Sequence, residues 1–168
     1  MKKKRKTSGI IIIGNEILSG KTLEKNSNFM CKELYSVGVS CEEIVIIKDD
    51  KLRIIEKLNN FRKKYSFVFT SGGIGPTHDD ITSDSVACAL GKKLILNTEA
   101  KRRLEKHYAD DVLTKARLKM AYMPENSTLI DNPVSVAPGF SIENIFVFPG
   151  VPKIMQVMFK EKVKLFDE

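Results

Sequence analysis

No apolar run in this chain approaches the ~20 residues needed to span a bilayer, so no membrane partner is expected. The stretch Ile10–Ile13 is far too short for the apolar heart of a secretory signal after the basic residues before it. Cysteine is scarce: Cys31, Cys41 and Cys88 are odd in number, widely separated and lack paired-ligand spacing. They read as reduced packing residues of a cytoplasmic protein. With only His78 and His107 present, no Ser-His-Asp or Cys-His arrangement has spacing support. The dinucleotide fingerprint Gly-x-Gly-x-x-Gly is missing. Gly20-Lys21-Thr22 echoes the end of a P-loop, but its spacing back to Gly14 is one residue too long. Glu16 between them would also repel a phosphate, so a kinase-type site is not expected.

The formal charge is +7, yet Lys2, Lys3, Lys4, Arg5 and Lys6 supply five of those charges and leave +2 for the remainder. That remainder is no nucleic-acid-binding face. Residues 1–7 read as a solvated, disordered basic arm, with a short nuclear-import signal or an anion-binding tail as the alternatives. Residues 8–168 carry no repeat, linker or low-complexity segment and read as a single domain.

What is present is alternation. Ser8 to Ile13 is a β-branched run closed by Gly14, and reads as a central strand. Asn26 or Ser27 can cap a helix with apolar face Phe29, Met30, Leu34 and Val37, ending before Gly38. Val39 to Ile47 is a second strand. Leu52, Ile54, Ile55, Leu58 and Phe61 mark a second helix, and Phe67 to Thr70 a third strand. Such β-α-β-α-β order with short connections predicts a parallel sheet covered by helices on both faces. Beyond a helix from Ser83 to Leu90, the pattern predicts a strand at 93–96, helices at 99–108 and about 113–120, and a strand at 127–130. Ala137 to Ser141 and Asn144 to Phe148 read as an antiparallel hairpin near a sheet edge. Pro152 is placed to start a last helix. The fold class is therefore α/β, a three-layer α/β/α sandwich with a mostly parallel sheet and an edge hairpin.

Ligands of doubly wound sheets bind outside the carboxyl ends of strands, and three polar loops follow strands on that edge. The loop Ser71-Gly72-Gly73-Ile74-Gly75-Pro76-Thr77-His78-Asp79-Asp80-Ile81-Thr82 joins a buried strand to a helix start. Glycines there allow backbone N–H groups to approach an anion closely, and the helix start adds donors. The alternative is a tight turn without a ligand. Asp49, Asp79 and Asp80 form a candidate acidic cluster suited to Mg²⁺ beside a phosphate; Asp80 could equally cap the helix near Thr82. Glu16 is a metal ligand, a general base or a solvated carboxylate. His78 contacts a phosphate, shuttles a proton or does neither. The Pro138-Gly139 and Pro149-Gly150 turns either shape the hairpin or hold a loop against the ligand.

Gly14-Asn15-Glu16-Ile17-Leu18-Ser19-Gly20, Asn26-Ser27, Ser71 to Thr82, Asn132-Pro133, Ala137-Pro138-Gly139-Phe140 and Pro149-Gly150-Val151-Pro152 occur in one order. Together they resemble the molybdopterin-binding (MoaB/Mog-type) domain of the molybdenum-cofactor biosynthesis family, in particular the N-terminal domain of the competence/damage-inducible CinA type. The likeness spans roughly Ser8 to Phe166. It implies catalytic Asp49 and Asp80, a metal held by Glu16, Asp49 and Asp80, and Mg²⁺ or another divalent cation as cofactor, with molybdopterin as a candidate. It further implies ligand contacts from Gly14, Asn15, Asn26, Ser71, Gly72, Gly73, Gly75, Thr77, His78, Thr82, Pro138, Gly139, Pro149 and Gly150. The ligand would be a phosphorylated pterin or nucleotide, hydrolysed at a pyrophosphate such as that of ADP-ribose or FAD. A non-catalytic binding module or a cofactor-biosynthesis protein is the alternative. A dimer or trimer is expected, and nicotinamide-nucleotide amidase activity is not. Asn15 departs from the Asp or Thr common in the family after that first glycine, which would remove a metal ligand.

Overall fold

The four isoleucines Ile10–Ile13 decide the layering. Strand side chains alternate between faces, and all four are buried, each burial being worth about 2 kcal/mol. They lie in β1 (Thr7–Ile13) of a computed structural model that describes residues 4–166. After β1 come α1 (Asn15–Leu18), α2 (Asn26–Ser36), β2 (Ser40–Ile47), α3 (Lys51–Lys64), β3 (Phe67–Ser71) and α4 (Thr82–Ala89). The second half holds β4 (Leu94–Leu96), α5 (Thr98–His107), α6 (Lys115–Lys119) and β5 (Tyr122–Pro124). It ends with β6 (Thr128–Ile130), β7 (Gly139–Ile142), β8 (Ile145–Phe148) and α7 (Pro152–Val163), closed by a 3-10 turn.

Ile11 and Ile13 pack in one apolar layer with Ile54, Leu58 and Phe61 of α3 and Val86 of α4. Ile10 and Ile12 pack in the other with Met30 and Leu34 of α2 and Met155, Met158 and Phe159 of α7. A six-stranded sheet in the order β2-β1-β3-β8-β7-β6 separates the layers. Its pairs β1–β2, β1–β3 and β3–β8 are parallel, and β7 runs antiparallel to β6 and β8. The three-layer α/β/α sandwich with a mostly parallel sheet is thus the observed architecture. Among the described residues, no helix is long and apolar enough to cross a membrane.

Four details differ from expectation. The β7–β8 hairpin is internal: β8 is buried along its length, joins β3, and leaves β6 as the edge. The loop after β1 contains a single helical turn, α1. Tyr122–Pro124, too short for a periodicity signal, pairs with β4 in a separate two-stranded sheet. Thr7, expected in the basic arm, is instead the first residue of β1. Thr7 already pairs with Ser40, and Lys6 donates to the Phe166 carbonyl at 3.1 Å. Lys2 and Lys3 lie outside the described residues. Burial pushes the Cys31 thiol up to about 12, with Cys41 adding to the rise, so that thiol stays protonated at neutral pH.

Candidate functional site

Three parallel strands end side by side, and their loops meet. Gly14 follows β1 and donates to the Ile47 carbonyl of β2 at 3.0 Å. The Glu16 carboxylate folds back so closely that a Cβ on Gly14 would lie 2.6 Å from its Oε1. Asn15 then ties the first loop to the second. Its amide N–H donates to Asp49 Oδ2 at 3.0 Å, and its side-chain Oδ1 accepts from the Asp49 N–H at 3.1 Å. Asp50 caps α3 by accepting from Arg53 N–H at 3.0 Å. The adjacent aspartates divide the work, which leaves the Asp49 side chain facing the loops.

The third loop is built around two left-handed glycines, Gly72 (φ 106°) and Gly73 (φ 74°). A Cβ on Gly72 would sit 2.1 Å from the Ile13 carbonyl oxygen; on Gly73 it would sit 2.1 Å from Thr82 Oγ1. The Gly72 N–H, expected to meet a phosphate, instead donates to the Phe148 carbonyl at 3.0 Å. Thr82 is likewise spent on the turn, its hydroxyl donating to the Gly72 carbonyl at 2.9 Å. Among the described residues, the amides of Gly73, Ile74 and Gly75 make no hydrogen bond. Asp80 does not cap α4, whose first turn has no side-chain cap. Its Oδ2 accepts from the Thr77 amide at 2.8 Å and the Thr77 hydroxyl at 2.7 Å, closing a small ring of its own.

These loops enclose an open cavity of about 410 Å³. Gly14, Asn15, Glu16, Asp49, Gly73, Thr77 and Asp80, all expected at the site, line it. So do Asp79, Ser19 and Lys21. Lys21 is the one cation in the lining, brought round by Gly20 (φ 76°) after α1. Its arrival depends on a helix turn that the sequence pattern did not show. Burial pushes the Asp49 carboxyl above the ordinary aspartate value. The Asn15 amide opposes that rise, while the charges of Glu16, Asp80 and Asp79 add to it. Among the described residues, no group of three or more His, Cys, Asp or Glu side chains is arranged to hold a metal ion. Glu16, Asp49 and Asp80 therefore share a cavity without forming a closed coordination set.

Several expected contacts lie elsewhere. Asn26 does not cap α2, because Glu24 takes that place and accepts from the Asn26 and Ser27 amides at 2.6 and 2.9 Å. The Asn26 side chain instead donates to Ser71 Oγ at 2.9 Å and to the Gly150 carbonyl at 2.8 Å. Ser71 in turn donates to the Pro149 carbonyl at 3.1 Å. Asn26, Ser71 and Gly150 line a neighbouring cavity of about 40 Å³, which Glu16 also borders. Gly75 lines a third, beside Asp80 and Lys119. His78 is exposed and lines none of these three. Pro138 and Gly139 belong to the hairpin, where a Cβ on Gly139 would meet the Val147 carbonyl at 2.4 Å.

Comparison with known proteins identifies the family of the fold. Residues 9–167 match the family model of a probable molybdopterin binding domain. An Archaeoglobus fulgidus protein is 36% identical over 159 residues, covering 95% of this chain and 68% of that protein. A Clostridium botulinum protein described as competence-damage inducible is 34% identical over 160 residues, which is 92% of this chain but only 39% of the relative. The crystal structure of the protein CinA from Thermoplasma acidophilum superposes with a TM-score of 0.89 at 33% identity, covering 96% of this chain and 99% of that one. The tungsten cofactor synthesizing protein MoaB from Pyrococcus furiosus, 19% identical, shares the fold with a TM-score of 0.61 over 97% of this chain and 92% of its own. The chain belongs to the molybdopterin-binding-domain family of MoaB/Mog type, close to the CinA N-terminal domain.

Proposed function

We propose that the acidic cavity binds a phosphorylated pterin or nucleotide and, with Mg²⁺ or another divalent cation, hydrolyses a nucleotide pyrophosphate such as ADP-ribose or FAD. The observation that carries this reading is Asp49. Its carboxyl is raised by burial and held by the Asn15 amide in the cavity that Gly73 lines. A raised carboxylate is a better base, and in this reading Asp49 takes a proton from the attacking water. The free amides of Gly73 to Gly75 offer donors to a phosphate oxygen, and Lys21 offsets part of the phosphate charge. The volume of about 410 Å³ falls in the range of small-ligand sites.

The side chains suit a shared cation rather than a caged one. Magnesium commonly takes one or two carboxylates and completes its shell from water and substrate phosphates. The crowding of Glu16, Asp79 and Asp80 on Asp49 is a charge excess that a cation would relieve. Asp80 and Glu16 are the residues that would hold it, leaving the Asp49 carboxylate beside them to act on water. When bound, the cation supplies polarisation of the pyrophosphate and a more acidic water.

A second reading, a non-catalytic pterin- or nucleotide-binding module, is favoured by the lack of a three-carboxylate set among the described residues. One screen separates the two. Thermal shifts are measured with ADP-ribose, FAD, AMP and ATP, with and without Mg²⁺ or Mn²⁺, and each hit is analysed for products. Cation-dependent release of AMP supports the hydrolase; stabilisation without product supports the module.

A further inference from the structure

The turn that carries Asp80 is held from outside by α6. The Lys119 ammonium, 42 residues along the chain, donates to the Thr77 carbonyl. That same carbonyl accepts the Asp80 amide at 3.2 Å, and Thr77 returns two hydrogen bonds to Asp80 Oδ2. One residue thus links Lys119 to both ends of Asp80. Behind the turn lies a small cavity of about 40 Å³ lined by Ile74, Gly75, Asp80 and Lys119, among others. Asp80 borders both that void and the main cavity, and its carboxylate is held by Thr77, so its position depends on what anchors Thr77.

The anchor itself is well seated. Thr114 caps α6, accepting from the Arg117 amide at 3.2 Å. Arg117 lies 4.2 Å over the Tyr108 ring and pairs with Asp111. Leu118 and Met120 pack against the core beside the fully buried Ala121. Lys119 therefore projects from a segment fixed by its neighbours on both sides.

We propose that Lys119 is a positioning residue, holding the Thr77–Asp80 turn so that Asp80 faces the carboxylate cavity. The inference rests on reading that cavity as the active site. Hydrogen bonds to charged groups are worth more than neutral ones, so loss of the tether corresponds to a change of about tenfold or more. Lys119→Met keeps the apolar stem and removes the ammonium.

Amide hydrogen exchange and ADP-ribose turnover with Mn²⁺ are measured on wild type, Lys119→Met and Lys119→Arg. The expected result is about tenfold less protection at Thr77 and Asp80 in Lys119→Met, with β1 and β3 unchanged. kcat falls about tenfold at nearly constant KM, and Lys119→Arg recovers most of both. Unchanged protection of the turn overturns the proposal. So does a loss spread evenly over the core strands, which marks Lys119 as generally structural. A loss confined to the turn in a protein that never releases AMP sinks the hydrolase reading and leaves the tether standing. Unchanged exchange in an active enzyme does the reverse.

Discussion

Asn15 and Asn132 both lie two residues past the end of a strand, and they use their side chains in opposite ways. Asn132 closes on itself. Its Nδ2 donates to Ser135 Oγ and the Ala137 carbonyl, both at 2.8 Å, and its Oδ1 accepts from the Val134 and Ser135 amides. Asn15 reaches 34 residues away to join the ends of β1 and β2 through Asp49. The contrast follows from topology. Parallel strands end side by side on one edge, so loops distant in sequence meet there and can share a ligand. The connection from β6 to β7 joins antiparallel neighbours, and Asn132 satisfies its polar groups within that connection. Glycine and proline turns occur in both halves, but only the parallel half opens into the acidic cavity.

The sharpest break of that comparison is Asp49→Asn. Loss of a general base is expected to cost at least about 100-fold in turnover. The variant keeps an acceptor for the Asn15 amide, so the fold is retained. It should also gain stability at neutral pH. Because the folded carboxyl is raised above its ordinary value of 3.8, the native chain binds more protons than the unfolded one above that value. Stability then falls as pH rises through the window. The gain from Asp49→Asn is therefore present above the window and vanishes below pH 3.8; Tm against pH for both proteins reads it directly.

Next in size is Gly72→Ala, whose Cβ collides with backbone rather than a movable side chain. A loss of about 3 kcal/mol in urea unfolding is expected, and a loss below about 1 kcal/mol would mean that the turn relaxes easily. Asn132→Ala should cost about 1–3 kcal/mol with nucleotide affinity unchanged. A weakened affinity there would show the two halves to be coupled. Smallest is His78→Ala. His78 is exposed and lines none of the three cavities around the turn, so kcat/KM is expected to change by less than about twofold.

The parallel half was legible because each element carries its own signal: the isoleucine run of β1, the apolar face of α2, the α3 apolar face ending at Phe61. That Glu16, Asp49 and Asp80 lie on one edge was legible from three loops following strands, while their joint role came from the family resemblance. What escaped depends on contacts that no local pattern encodes. Asn26 looked like a helix cap, yet Glu24 two residues earlier holds that place and turns Asn26 inward to Ser71. Asp80 looked like a cap as well, but Thr77 competes for its carboxylate. Lys119 reaches the site region across 42 residues of chain. No spacing marks it.

The central claim is that Asp49 in the parallel-edge cavity does chemistry. It is tested most directly by following AMP release from ADP-ribose in Mg²⁺ or Mn²⁺ by wild type and Asp49→Asn side by side. The account predicts cation-dependent AMP from wild type, at least about 100-fold less from the variant, and a variant that melts no lower. Equal turnover by the two proteins, or ADP-ribose bound tightly by wild type with no AMP under either cation, would contradict it.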